Sequence, residues 1–181
     1  MFDMKKSIKQ FDQYLYHDIE DEDAARKYLD DSLPLVGEVV MYFNGLEKQL
    51  DSLLCEAFSD RTDAIGLIVL HGMTYAAKID LFKRLTDHFH TAACMVVAGY
   101  DSLIAELKQV GILRNQVIHA DWNNTDEQGY TYVKLKISQG EMEQEYVQFS
   151  AESLEELIRR IWATSEKLEE YWEKRSEILH G

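Results

Sequence analysis

The apolar positions of this chain recur mostly at intervals of three and four, and the elements they predict are helices. Residues 5–29 place Ile8, Phe11, Leu15, Ile19 and Tyr28 near that spacing. This predicts one or two helices with a solvated face along the acidic run from Asp18 to Asp23. Asp30-Asp31-Ser32 ahead of Pro34 reads as a helix start. Such side chains cap free N–H groups, and proline in a first turn lacks only an N–H that would have no partner there. Leu35, Val39, Phe43, Leu46, Leu50, Leu53, Leu54 and Phe58 then hold the period for about six turns. Asp60-Arg61-Thr62-Asp63 reads as a connection. Beyond it comes the apolar run Ile65 to Leu70, whose form Gly66 and Gly72 leave open, and then a helix over Met73 to Phe89. A further helix over 101–119 starts from the capping pair Asp101-Ser102 and carries Leu103, Leu107, Val110 and Val117.

After this the period changes. Ala120 to Gly129 is polar and loop-like, and then Thr131, Val133, Leu135 and Ile137 alternate with Tyr132, Lys134 and Lys136. Val147 and Phe149 continue the alternation beyond Ser138-Gln139-Gly140, so a β-hairpin is predicted at about 130–149. Ser150 or Ser153 caps the last helix, with Leu154, Ile158, Ile161, Leu168 and Trp172 on one stripe as far as about Leu179. At 1.5 Å per residue it spans roughly 40 Å, more than a small domain needs, which points to packing against a partner chain. The fold class expected is all-α: a bundle of four to five main helices with a small β-hairpin inserted before the long C-terminal helix. A single domain is expected over 1–181, with a helical extension at 1–33 and the core at 34–181.

Charge restricts the partners. The net charge of −14 argues against a polyanion. Residues 72–119 hold four acids and five bases, however, and every other segment of the chain is net acidic. Met1 to Gln10 contain no secretory apolar core, and no apolar run approaches the roughly 20 residues that span a bilayer. A cytoplasmic protein with no membrane partner is therefore expected. Cys55 and Cys94 lie in apolar stretches and read as buried, reduced thiols.

The chemistry concentrates in Arg114-Asn115-Gln116-Val117-Ile118-His119. Leu103, Leu107, Val110, position 114 and Val117 follow the spacing of a buried seam, yet position 114 is arginine. A guanidinium does not shed its charge, so burial there calls for a carboxylate, a phosphate or an opening to solvent. Asn115 and His119 are four apart and share a helix face, whereas Arg114 and His119 diverge by about 140°. Two copies of the helix meeting at a cleft would bring both kinds of side chain together. Arginine binds phosphate through paired charge-assisted hydrogen bonds, and histidine exchanges protons near neutral pH. Lys78, with Asp80 and Glu47, falls on helices with a cleft-facing option, against the plainer ion-paired or solvated role. Trp122 is either a base-stacking residue or a hydrophobic anchor. His88 and His90 point about 200° apart on a helix and read as a surface helix end, so no metal site and no cofactor are expected.

The segment from Arg114 to His119 resembles the Arg-x4–6-His motif of the HEPN superfamily (higher eukaryotes and prokaryotes nucleotide-binding domains), in which the residue after the arginine is often asparagine. The Lys78-Ile79 pair on a preceding helix and the long C-terminal helix fit as well, and the likeness spans about 34–179. The spacing also occurs at Arg84–His90 and Arg175–His180, neither followed by asparagine. The resemblance implies a HEPN-like bundle that forms a homodimer around the motif helices. It also implies a metal-independent endoribonuclease, of the kind found as toxins or defence effectors, in which the ribose 2′-hydroxyl attacks the adjacent phosphate. His119 would be the acid/base group, Arg114 the phosphate ligand and Asn115 a positioning group, with Lys78 and Trp122 as further substrate contacts. A protein antitoxin or regulator would be a partner. The alternative is a non-catalytic HEPN-like module for dimerisation or for binding protein or nucleotide. Relatives modified by a nucleotidyltransferase antitoxin often carry tyrosine after the histidine, where this chain has Ala120-Asp121-Trp122.

Overall fold

Where the helical period is longest, helices form. In the computed structural model, which describes residues 4–15, 19–58 and 62–180 apart from the His180 side chain, the elements run as follows. They are β1 (Lys6–Gln10), α1 (Glu22–Phe58), α2 (Ala64–Leu70), α3 (Tyr75–Ala93), α4 (Tyr100–His119), β2 (Asp121–Thr125), β3 (Tyr130–Ser138), β4 (Glu141–Gln148) and α5 (Ala151–His180). The Asp18 end of the acidic run and the Asp60-Arg61 part of the predicted connection lie outside the described residues.

The all-α expectation is overturned. Five helices account for 66% of the described residues, but a four-stranded antiparallel sheet, ordered β1-β4-β3-β2, makes the fold mixed α/β. The predicted hairpin is present as β3 and β4, and two strands come from segments read otherwise. β1 lies in the supposed helical extension at 1–33, where it pairs with β4 from Lys6↔Val147 to Gln10↔Glu143. β2 occupies the supposed loop after Ala120 and pairs with β3 irregularly, at Asp121↔Tyr132 and Thr125↔Thr131. Both are edge strands fixed by partners distant in sequence or by a bulge, so neither shows a buried-face alternation of its own.

The predicted break before Pro34 is absent as well. α1 starts at Glu22, with the Asp21 carboxylate accepting from the Ala24 N–H at 3.0 Å, and runs through Pro34. An interior proline removes the hydrogen bond to the carbonyl four residues back, here that of the exposed Asp30, where water can replace it. At the other end of the chain, the Ser150 hydroxyl accepts from the Ser153 N–H at 3.2 Å and caps α5.

The chain divides into two compact units, Met1–Val40 with Leu113–Ile158 and Met41–Ile112 with Arg159–Gly181. In the first, Tyr146, Val147, Phe149, Leu154 and Leu157 are wholly buried. The Tyr28 hydroxyl donates to the Phe149 carbonyl at 2.6 Å, and burial together with the nearby Asp126 pushes its pKa up to about 12. Gly129, at φ 83°, lies against the Tyr28 ring, which any side chain there would strike. On β4 the buried Glu145 carboxylate meets Lys136 at 2.8 Å, Lys134 at 3.5 Å and Lys6 at 3.6 Å.

In the second unit, Leu46, Leu50, Leu54, Ile79, Phe82 and Leu107 form the core. The Tyr75 hydroxyl donates to the Leu107 carbonyl, and its ring packs where Gly111 leaves out a side chain. Arg160 holds Glu106 through two bonds, at 2.8 and 3.2 Å. His90 is no surface residue. It is buried, its Nε2 accepts from the Val97 N–H at 3.3 Å, and it lies edge-on to Tyr100. Cys55 is buried as expected, but Cys94 is exposed at φ 53°, in the left-handed turn that ends α3.

Candidate active site

α4 ends at the motif. Leu103, Leu107, Val110 and Val117 are buried along its seam, and Arg114 within that seam is half-buried. The guanidinium finds a polar neighbour on its own helix, with Nη1 donating to Asn115 Oδ1 at 3.0 Å. Asn115 and His119 are both exposed, one turn apart on the last two turns of α4. The divergence of Arg114 and His119 around the helix is thus spanned by Asn115, which bonds the arginine and shares a face with the histidine. Among the described residues the His119 imidazole makes no hydrogen bond, so both ring nitrogens are open to a ligand.

The end of the helix is held from below. Buried Ala120 leads directly into β2, and the Trp122 indole N–H donates to the Val117 carbonyl at 2.9 Å. That carbonyl is one of the four at a helix C-terminus with no partner inside the helix. The indole also stacks on Phe149, with ring centroids 5.2 Å apart. Trp122 is therefore engaged in the anchoring role, and its one donor is occupied. It fastens the turn that carries His119 to the sheet, a role that only the distant Phe149 reveals.

Lys78 is committed elsewhere. It is buried in the second unit, with Nζ 2.8 Å from Glu47 and 2.9 Å from Asp51. Burial alone would lower its pKa, but the two carboxylates outweigh burial and raise it. A substrate contact by Lys78 would have to displace both. Glu47 was legible as a helix residue with a cleft-facing or ion-paired option, but its pairing with Lys78 was not, and Asp51 carried no signal beyond its spacing of four from Glu47. Asp80 is exposed and lies 3.5 Å from Lys108.

The Arg84–His90 spacing does not form a comparable pair. Arg84 is exposed and donates to the Asp80 carbonyl, while His90 is buried. Arg175 stacks over Phe89 and Trp172, and the His180 side chain lies outside the described residues. No group of acidic, histidine or cysteine side chains among the described residues has the arrangement of a metal site. No helix among them is long and apolar enough to cross a membrane. No protein-family model, curated protein or solved structure matches this chain.

Proposed function

We propose that the chain is a metal-independent endoribonuclease of the HEPN type, acting as a homodimer with a composite site formed by two copies of the α4 terminus. One observation carries the reading: His119 and Asn115 are presented to solvent on one face, with the Arg114 guanidinium hydrogen-bonded to Asn115 at 3.0 Å. In the reaction one His119 takes the proton of the ribose 2′-hydroxyl as its oxygen attacks phosphorus. The bond from phosphorus to the 5′-oxygen breaks, and that oxygen takes a proton from the partner subunit's His119. The products are a 2′,3′-cyclic phosphate and a free 5′-hydroxyl. Arg114 neutralises the phosphate, and Asn115 orients either the guanidinium or a phosphate oxygen. A general acid–base group typically contributes about 10²- to 10⁴-fold. RNA incubated with the purified chain in EDTA should yield cyclic-phosphate ends, with the rate reduced by about that factor in both His119→Ala and Arg114→Ala. Cleavage that survives both substitutions would falsify the proposal.

The net charge of −14 favours a second reading, a non-catalytic dimeric module that binds protein or nucleotide. In that case RNA stays intact, while Arg114→Ala changes self-association measured by sedimentation.

A further inference from the structure

Every residue of α2 other than Gly66 is apolar, and the helix is oriented so that most of it faces water. Gly66 sits directly on α1: a Cβ there would come within 2.6 Å of the Cys55 Cα. With Gly66 and Leu70 turned inward, Ile65, Leu67, Ile68 and Val69 face outward, Ile68 at 76% exposure and Leu67 at 58%. Together these four expose apolar surface on the order of a few hundred Å², the size of patch that marks an interaction site on a monomer.

Beside the patch, α1 and α2 border a cavity of about 550 Å³, lined by Glu47, Asp51, Asp63, Lys48, Cys55 and Leu67 among others. Three of these are carboxylates and one is a lysine. Lys78 reaches Glu47 and one oxygen of Asp51, whereas the other oxygen, Oδ1, is buried with no hydrogen-bond partner among the described residues. A buried acceptor without a donor is costly to leave unsatisfied. The surface thus combines aliphatic side chains with a recess in which three carboxylates outnumber Lys48 and the buried Lys78. Two copies facing each other here would set like charges together, which disfavours self-association through this face.

We infer that the α1–α2 groove docks a cationic amphipathic segment of another protein, with aliphatic side chains on Ile65, Leu67 and Ile68 and a lysine or arginine directed at the exposed Asp63. The site is independent of the chemistry proposed for α4.

The test uses the full chain and a fluorescein-labelled helical peptide of leucine and lysine, at about 0.15 M salt so that distant charges are screened. Saturable binding is expected, weakened about tenfold or more by Ile68→Asp and by Asp63→Asn, and unchanged by Glu152→Gln, which removes an exposed carboxylate elsewhere. Gly66→Ala, which forces α2 away from Cys55 without touching the exposed side chains, should weaken binding as well. Hydrogen exchange should show protection on α2 and on 44–55 of α1. No saturable binding, equal loss in Glu152→Gln, or protection spread over the acidic surface would overturn the inference. So would concentration-dependent dimerisation of the free chain that Ile68→Asp abolishes, since a second copy would then be the occupant.

Discussion

Each compact unit contains a buried ion, and the two sites are opposite in sign. In the helical unit a buried cation, Lys78, lies between two partly buried carboxylates at 2.8 and 2.9 Å. In the sheet unit a buried anion, Glu145, lies beneath three lysines, of which only Lys136 is as close as 2.8 Å. The partners differ more than the ions do. Glu47 and Asp51 are about a quarter exposed, whereas Lys6, Lys134 and Lys136 are close to half exposed. The shorter Glu47 and Asp51 side chains hydrate less freely once Lys78 is lost than the long lysine stems on the strands do once Glu145 is lost. The first site should therefore be rigid and expensive to break, and the second loose and sensitive to salt.

Lys78→Met should have the largest effect, about 3 kcal/mol of stability lost in urea unfolding, because it leaves two neighbouring carboxylates without their cation. Glu145→Gln should cost about 1 kcal/mol, since the released lysines hydrate. If the two losses are equal, the contrast in partner exposure decides nothing.

The pH dependences should run in opposite directions. Burial alone would raise the Glu145 carboxyl, but Lys136, Lys134 and Lys6 bring it below its ordinary 4.5. Its contribution is therefore present above pH 4.5 and lost as the pH falls below that value. Lys78 is raised above its ordinary 10.5, so its contribution is present below pH 10.5 and lost as the pH rises beyond it. In unfolding curves at both extremes, Glu145→Gln should flatten the acid-side slope and Lys78→Met the alkaline-side slope, without abolishing either, since Asp87 and Glu106 are also lowered and Tyr75 and Lys136 also raised. The smallest effect belongs to Lys134→Ala, under about 1 kcal/mol and vanishing near 1 M salt. A loss that persists in high salt would show that the lysine stem packs rather than pairs.

The same contrast separates the candidate site residues. Lys78 has a chemically suitable group already bound in place, whereas His119 has one presented to solvent. Residue type and spacing placed both on helices, and that much was legible, because side chains three and four apart share a face whatever surrounds the helix. Asn115 and His119 on one face of α4 follow from their interval alone. The bond from Arg114 to Asn115 was not legible, since an interval of one does not make side chains face each other. Nor was the engagement of Trp122, which depends on Phe149, 27 positions further along the chain.

Local pattern therefore determined the helical period beyond Pro34 in α1 and the helices α3, α4 and α5, the hairpin at 130–149 and the shared face of Asn115 and His119. These features depend on backbone periods that neighbouring residues set for themselves. Tertiary structure decided the rest. β1 is a strand because β4 supplies its hydrogen bonds from more than 130 residues away. The polar run at β2 is a strand because β3 lies beside it. α1 continues through Pro34 because the packing of Ala25, Tyr28 and Val39 on either side outweighs one missing hydrogen bond, about 3 kcal/mol in an isolated helix. In each case contacts outside the segment overrode a local preference of only a few kcal/mol, from far along the chain for β1 and α1 and from the adjacent strand for β2.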